Sequence, residues 1–310
     1  MNAPESPKDA VARSHLHGTG GGFLLGLTAY ALWGVLPVYF KLLRTVPAVD
    51  IVVHRILWSL PFLALLVSVT RGWGKLHAGI VRPATAGMLV VTALLIGGNW
   101  LLYVHAVTSG HILAASFGYY LNPLANVLLG RFVLHEKLTR MQWTAVAIAG
   151  AGICVLAAGA LSQLWISLVL CASFALYGLL RKMVRADALT GLGIETGLLF
   201  PVALLWLGGR LLSGAPAFGP SRVDHGLLLL AGIVSTTPLL LFTAAARKLA
   251  YSTLGMLQFI APTLQFLIAV AIYGEPFTRA HAIAFAAIWA ALALYVTELL
   301  RKPRLPQAPE

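Results

Sequence analysis

Of 310 residues, 59% are hydrophobic and only 10% charged, against roughly 25% charged in a soluble domain, so this apolar surface cannot be hidden in one water-exposed core. The formal charge of +12 sits in short Lys/Arg clusters between long apolar runs and not on one basic stripe, which excludes a nucleic-acid partner and reads as a membrane-orientation code. The two cysteines, Cys154 and Cys171, both lie inside apolar runs, which excludes a disulfide framework or a zinc site.

In chain order, the N-terminal tail over 1–21 carries His15 and His17 ahead of a glycine run. Two histidines in a flexible tail face solvent and predict no metal site. The first apolar run starts near Phe23 and is too long for the core of a cleavable signal peptide, so it is expected to stay as a spanning helix. With about 20 apolar residues per crossing, spans are predicted over 22–43, 50–70, 84–107, 111–133 and 139–158. A second set follows over 161–181, 187–207, 226–246, 251–273 and 279–300, and a Pro-rich tail over 301–310 closes the chain.

Lys and Arg set the orientation. With the N-terminus inside, sixteen of the 22 basic residues fall on the cytoplasmic side, five (Lys41, Arg44, Arg210, Arg222 and Arg279) fall outside, and Arg55 lies within a span. Both termini are therefore expected in the cytoplasm.

The chain also resembles itself. Tyr103 and Phe242, Tyr119 and Gln258, Pro123 and Pro262, Asn126 and Gln265, and Glu136 and Glu275 are each 139 residues apart. Arg55 and Glu195 are 140 apart, and the run Ala31 to Gly34 resembles Ala175 to Gly178 at 144, shifts that unequal loops explain. The units 22–158 and 159–300 thus correspond helix by helix. A unit with an odd number of spans enters the membrane from opposite faces in its two copies. The expected fold is an all-α integral membrane protein of ten transmembrane helices in two inverted five-helix repeats, the arrangement alternating-access transporters use.

Several stretches carry a family resemblance: AYALWG at 29–34, HRILWS at 54–59, GGNWLL at 97–102, GYYLNP at 118–123, GIET at 193–196, PLLLFTAAA at 238–246 and PTL at 262–264. In this order and spacing the chain resembles the RarD-type proteins, an EamA-domain branch of the drug/metabolite transporter (DMT) superfamily, from Phe23 to Leu300. The resemblance implies a ten-helix inner-membrane transporter with two EamA repeats, a name linked to chloramphenicol sensitivity, and no settled substrate.

Ser116, Tyr119, Asn122 and Asn126 share one face of the fourth span, and Ser252, Gly255, Gln258 and Gln265 repeat the pattern in the ninth. Polar faces are costly against lipid. These residues, with Asn99 and Trp100 of the third span and Thr236 and Thr237 of the eighth, are candidates to line a substrate cavity. Hydrogen bonds that merely join helices are the alternative. Pro123 and Pro262 near mid-helix, and Pro37 in the first span, are candidate hinges because proline removes a backbone hydrogen bond. Lys41, and His105 with His111 at the outer hairpin, read either as headgroup-facing or as substrate-steering. Gly193 and Gly197 form a GxxxG that would admit a close helix neighbour.

Arg55 and Glu195 are the two ionisable groups most clearly within the membrane, where such groups tend to be functional. At about 1.5 Å rise per residue in a core about 30 Å thick, roughly 10 Å of height separates their backbones. A direct pair is therefore open, with Asp50 or His54 as other partners for Arg55. Without a neighbouring cation, burial would penalise the charged form of Glu195 and make it the candidate proton-coupling carboxylate.

The chain holds no HExxH, nucleophile elbow, P-loop or paired carboxylates, which argues against an enzyme and against a built-in ATP motor. Secondary transport of small metabolites or drugs by alternating access, as an exporter and with neither cofactor nor metal, is the expected function. A lipid-headgroup flippase or a membrane sensor without solute flux is the alternative. The expected partners are a small-molecule substrate, protons as the coupling ion and the lipid bilayer; monomer and homodimer are both compatible.

Overall fold

The computed structural model describes residues 7–108, 112–157, 164–214, 216–272 and 279–301, and its regular elements are all helices. They are α1 (Pro7–Leu42), α2 (Ala48–Val69), α3 (Trp73–Val81), α4 (Pro83–Thr108), α5 (Ile112–Phe132) and α6 (Arg140–Ala157). The second half holds α7 (Leu164–Met183), α8 (Ala188–Leu212), α9 (Arg222–Lys248), α10 (Tyr251–Gln258), α11 (Ile260–Ala271) and α12 (Arg279–Arg301).

Six helices contain segments long and apolar enough to cross a membrane: Gly20–Leu42 of α1, α2, Pro83–Ala106 of α4, Trp165–Met183 of α7, α8 and α9. Large apolar side chains point away from the protein, Leu205 at 78% exposure and Leu212 at 92%. Only hydrocarbon makes such a surface favourable, and helices satisfy their own backbone groups within it. The chain is an all-α, multi-pass membrane protein.

Three elements depart from the expected spans: α1 begins at Pro7, within the stretch expected as a tail, and two others depart for local reasons. Between α2 and α4, α2 ends in a Schellman turn: the Gly72 N–H donates to the Val67 carbonyl at 2.7 Å and the Arg71 N–H to that of Ser68 at 3.1 Å. Arg71, at φ 52, takes the left-handed position. The turn starts α3, which packs on α8 with Leu76 against Gly193 and Gly79 under Thr190 and Ile194.

The ninth span, expected as one helix, breaks at Phe259 into α10 and α11. Pro262 has no N–H for the carbonyl of Gln258, four residues earlier, and its ring crowds that carbonyl. The Phe259 N–H turns to the Met256 carbonyl at 3.3 Å, and α11 restarts the axis. Pro123, 139 residues earlier, leaves α5 continuous.

In the packing, α6 lies on α12, α2 on α8 and α9, α1 on α9, α10 and α11, α5 on α7 and α10, and α4 on α7 and α8. An aromatic core of Tyr30, Phe174, Tyr177, Phe242 and Tyr251 joins α1, α7, α9 and α10. The α2–α9 crossing is close enough that a Cβ on Gly232 would overlap the Trp58 carbonyl group. The GxxxG does not mark such a crossing: Gly193 faces Leu76 of α3, and Gly197 has no atom within 4 Å of where its Cβ would be.

Candidate functional site

Between α2, α4, α8 and α9 lies a cavity of about 20 Å³, room for about one water, whose polar lining is Arg55, Ser59, Trp100, Thr196, Ser235 and Thr236. Arg55 enters from α2 and lays its guanidinium over the Trp100 ring, 4.3 Å from the centroid, a cation–π contact. Tyr39, Tyr103 and Tyr119 are its electrostatic neighbours. Among the described residues no carboxylate lies within ion-pair distance of Arg55, and its buried Nε has no hydrogen-bond partner.

The partners considered for Arg55 are engaged elsewhere. Asp50 takes Arg210 Nη2 at 3.0 Å and the Trp206 indole N–H at 3.1 Å. His54 contacts the Ala217 carbonyl through Nε2 at 2.7 Å and accepts from the Trp58 indole N–H at 3.2 Å.

Glu195 is paired, with Arg181 and not with Arg55. Arg181 belongs to the basic cluster counted on the inner face, yet its side chain turns inward from the end of α7 and is 0% exposed. Its Nε stands 3.6 Å from Glu195 Oε1. Thr92 of α4 donates to the same oxygen at 2.5 Å and the Tyr177 hydroxyl to Oε2 at 3.3 Å. Arg181 Nη2 donates to the Ala188 carbonyl at 3.2 Å. Gly191 leaves the room this requires, because a Cβ there would overlap the guanidinium. A cation therefore stands beside Glu195, and the condition under which it was expected to couple protons as an unpaired carboxylate is not met.

The two polar faces meet, partly by bonding to each other. Asn126 Nδ2 donates to Gln258 Oε1 at 2.7 Å with both residues buried, which ties α5 to α10 directly. Asn99 Nδ2 donates to the Leu170 carbonyl and to Ser173 Oγ, both at 2.9 Å, and accepts from the Tyr119 hydroxyl at 3.3 Å. Gln265, exposed, donates to the Trp33 carbonyl of α1 at 3.0 Å. Asn122 is buried, and among the described residues neither amide atom has a partner. Thr237 is half-buried and does not line the cavity; its neighbour Thr236 does, donating to Ser59 Oγ at 2.6 Å.

Of the expected hinges, Pro37 lies inside α1 and Pro262 at the α10–α11 break. The Pro123 carbonyl sits where a Cβ on Gly255 would be 2.8 Å away. Glu275 and His111 lie outside the described residues, as do the side chains of His15, His17 and Ser116.

Glu136 carries a role that repeat matching alone did not assign. It follows His135, held at φ 54, in the turn between α5 and α6. Its carboxylate accepts from the Tyr251 N–H at 2.6 Å, the Ser252 N–H at 3.0 Å and the Ser252 hydroxyl at 2.7 Å. The N-cap of α10 is Ala250, which has no side chain to satisfy those first amides. A carboxylate at a helix N-terminus also meets the favourable end of its dipole. The missing signal was an uncapped helix start in a chain otherwise short of acids.

Residues 20–158 match the model of the EamA-like transporter family. Protein RarD of Escherichia coli (strain K12) is 47% identical over 294 residues, spanning 92% of this chain and 97% of that protein. An uncharacterized transporter of Vibrio cholerae is 45% identical over 285 residues, 90% of this chain and 93% of that one. A solved crystal structure, 20% identical, superimposes with a TM-score of 0.72 over 92% of this chain and all of its own, a likeness of fold.

Proposed function

Because the chain belongs to the EamA-like transporter family, in its RarD-type branch, we propose that it exports small metabolites or drugs across the bacterial inner membrane by alternating access around Arg55. The family is one of transporters, so its work is secondary transport and not catalysis. In this reading the chain has ten spans, with α10 and α11 forming one, in inverted repeats over 22–158 and 159–300, flanked by cytoplasmic tails over 1–21 and 301–310.

The observation that carries it is the symmetry of the packing. Exchange α1 with α7, α2 with α8, α4 with α9, α5 with α10 and α11, and α6 with α12. The contacts α6–α12, α2–α8 and α5–α10 then map onto themselves. The remaining large ones exchange in pairs: α1–α9 with α7–α4, α2–α9 with α8–α4, and α5–α7 with α11–α1. Pro61 of α2 and Pro201 of α8 fall at the same offset of 140 as Arg55 and Glu195. Two half-bundles packed in this way can rock against each other about the site between them. Closure on the cytoplasmic side by Glu136 on α10 and by Arg181 on Glu195, with Tyr39, Trp100 and Tyr119 only half-buried near the outer end, supports an outward-facing state.

Reporter fusions test the architecture. A fusion near Gly214 is expected in the periplasm and one near Ala186 in the cytoplasm; the reverse pattern would overturn the inverted arrangement. Metabolite profiling of a deletion strain beside an overexpressing strain is expected to move one class of solute in opposite directions outside the cell.

A further inference from the structure

The two halves are electrostatically unequal. In the second, Glu195 of α8 meets Arg181 of α7. The offset of 140 sets Arg55 opposite Glu195, whereas the offset of 144 that relates α1 to α7 sets Pro37 opposite Arg181 and Lys41 opposite Arg185. The first half therefore places a cation, Arg55, where the second places an acid held by its own cation. The second half neutralises itself, whereas no described carboxylate answers Arg55.

The same cavity holds two buried polar atoms without partners among the described residues, Arg55 Nε and Ser235 Oγ. Such groups cost free energy when left unmade, most of all a cation, and a ligand that brings acceptors removes that cost. The surroundings are aromatic. Trp100 covers one face of the guanidinium, Tyr103 meets Tyr119 edge-on at 5.6 Å, and Tyr119 meets Phe174 at 6.4 Å. With its face taken, the guanidinium still offers its edge, whose fork of N–H donors matches a carboxylate bidentately.

We propose that the solute is an organic anion, a carboxylate on an aromatic or other planar body, which enters when the two half-bundles move apart, since the cavity here admits about one water, and sets the carboxylate on Arg55 and Ser235 and the body among Trp100, Tyr103 and Tyr119. The inference rests on the transporter assignment above and names its substrate class.

The test uses full-length protein in lipid nanodiscs and a panel of benzoate, 4-hydroxybenzoate, phenylacetate and indole-3-acetate, each beside its uncharged amide, with phenethylamine as the cationic control. Thermal stabilisation by one or more acids, and not by the matching amide or by the amine, is expected. Arg55→Gln should weaken the acid's binding roughly ten- to a hundredfold, the loss of a charge-assisted pair, and Arg55→Lys should weaken it less. Equal stabilisation by the amides or amine, none by any acid, or unchanged affinity in Arg55→Gln would overturn the proposal. If Arg55→Gln does not fold, the ranking of acid, amide and amine on the native protein decides it. Flux of neutral or cationic solutes alone through reconstituted vesicles would remove the anion and leave a transporter. Acid binding without flux of any solute would leave the anion site and remove the transporter.

Discussion

Neutralising Glu195 should harm the fold more than neutralising Arg55, although both are charges within long apolar helices, 140 residues apart. Glu195 Oε1 lies 3.6 Å from Arg181 Nε, and neither side chain is more than 2% exposed. At an effective dielectric of about 20 this separation is worth about 4–5 kcal/mol of attraction. Removing one member of such a pair costs about 3–5 kcal/mol, because the other charge stays buried. Glu195→Gln can still accept from Thr92, yet it leaves Arg181 without a counter-charge, so about 3 kcal/mol is the expected loss. Replacing both, Glu195→Leu with Arg181→Met, should recover most of it, since apolar pairs of similar volume are often as stable. Arg55→Gln forfeits a cation–π contact of about 0.5–2 kcal/mol and no ion pair. Thermal unfolding of the four detergent-purified proteins measures the order. Glu195→Gln as stable as the parent, a double variant no better than the single, or Arg55→Gln as the worst of the set would refute the pairing.

Glu136→Ala removes three acceptor contacts from the start of α10 and should cost about 1–3 kcal/mol; hydrogen exchange at Tyr251 and Ser252 should rise there while α8 keeps its protection. Gly191→Ala should lower the thermal midpoint much as Glu195→Gln does, because the added methyl must displace the Arg181 guanidinium; an unchanged midpoint would mean Arg181 has another place to go. Single cysteines should separate the two polar faces. Those replacing Tyr119 and Gln265 should react with a water-soluble thiol reagent, whereas those replacing Asn126 and Gln258, buried against each other, should stay inert; reaction at the latter pair would make them cavity lining after all.

Much of the architecture was legible because membranes impose simple rules. Apolar runs of about 20 residues, broken by Lys/Arg clusters, mark spans, and the apolar segments of α1, α2, α4, α7, α8 and α9 fall on six of the predicted ones. Arg55 and Glu195 stood out because an ionisable residue at that depth is rare. Their partners did not. Arg181 precedes Lys182 and Arg185 at a helix end, where a basic cluster is the ordinary signal for a cytoplasmic loop, and nothing local distinguishes an inward-turned arginine from one reaching for headgroups. Helical periodicity put Asn126 and Gln258 on polar faces, but a cavity wall and a helix–helix bond share that period. Pro123 and Pro262 are equivalent in sequence, yet only the second interrupts its helix, a difference set by packing around each. The Glu136 carboxylate finds its amide 115 residues away in the chain, a separation no local motif encodes.

Reconstitution puts transport itself to the test. Purified protein in liposomes, preloaded with the solutes that a deletion strain retains, should exchange them at a saturable rate, and Arg55→Gln, shown to be folded and inserted, should lose that exchange. Vesicles that pass no solute faster than protein-free liposomes, or an Arg55→Gln variant that exchanges at the parent rate, would contradict a transporter built around Arg55.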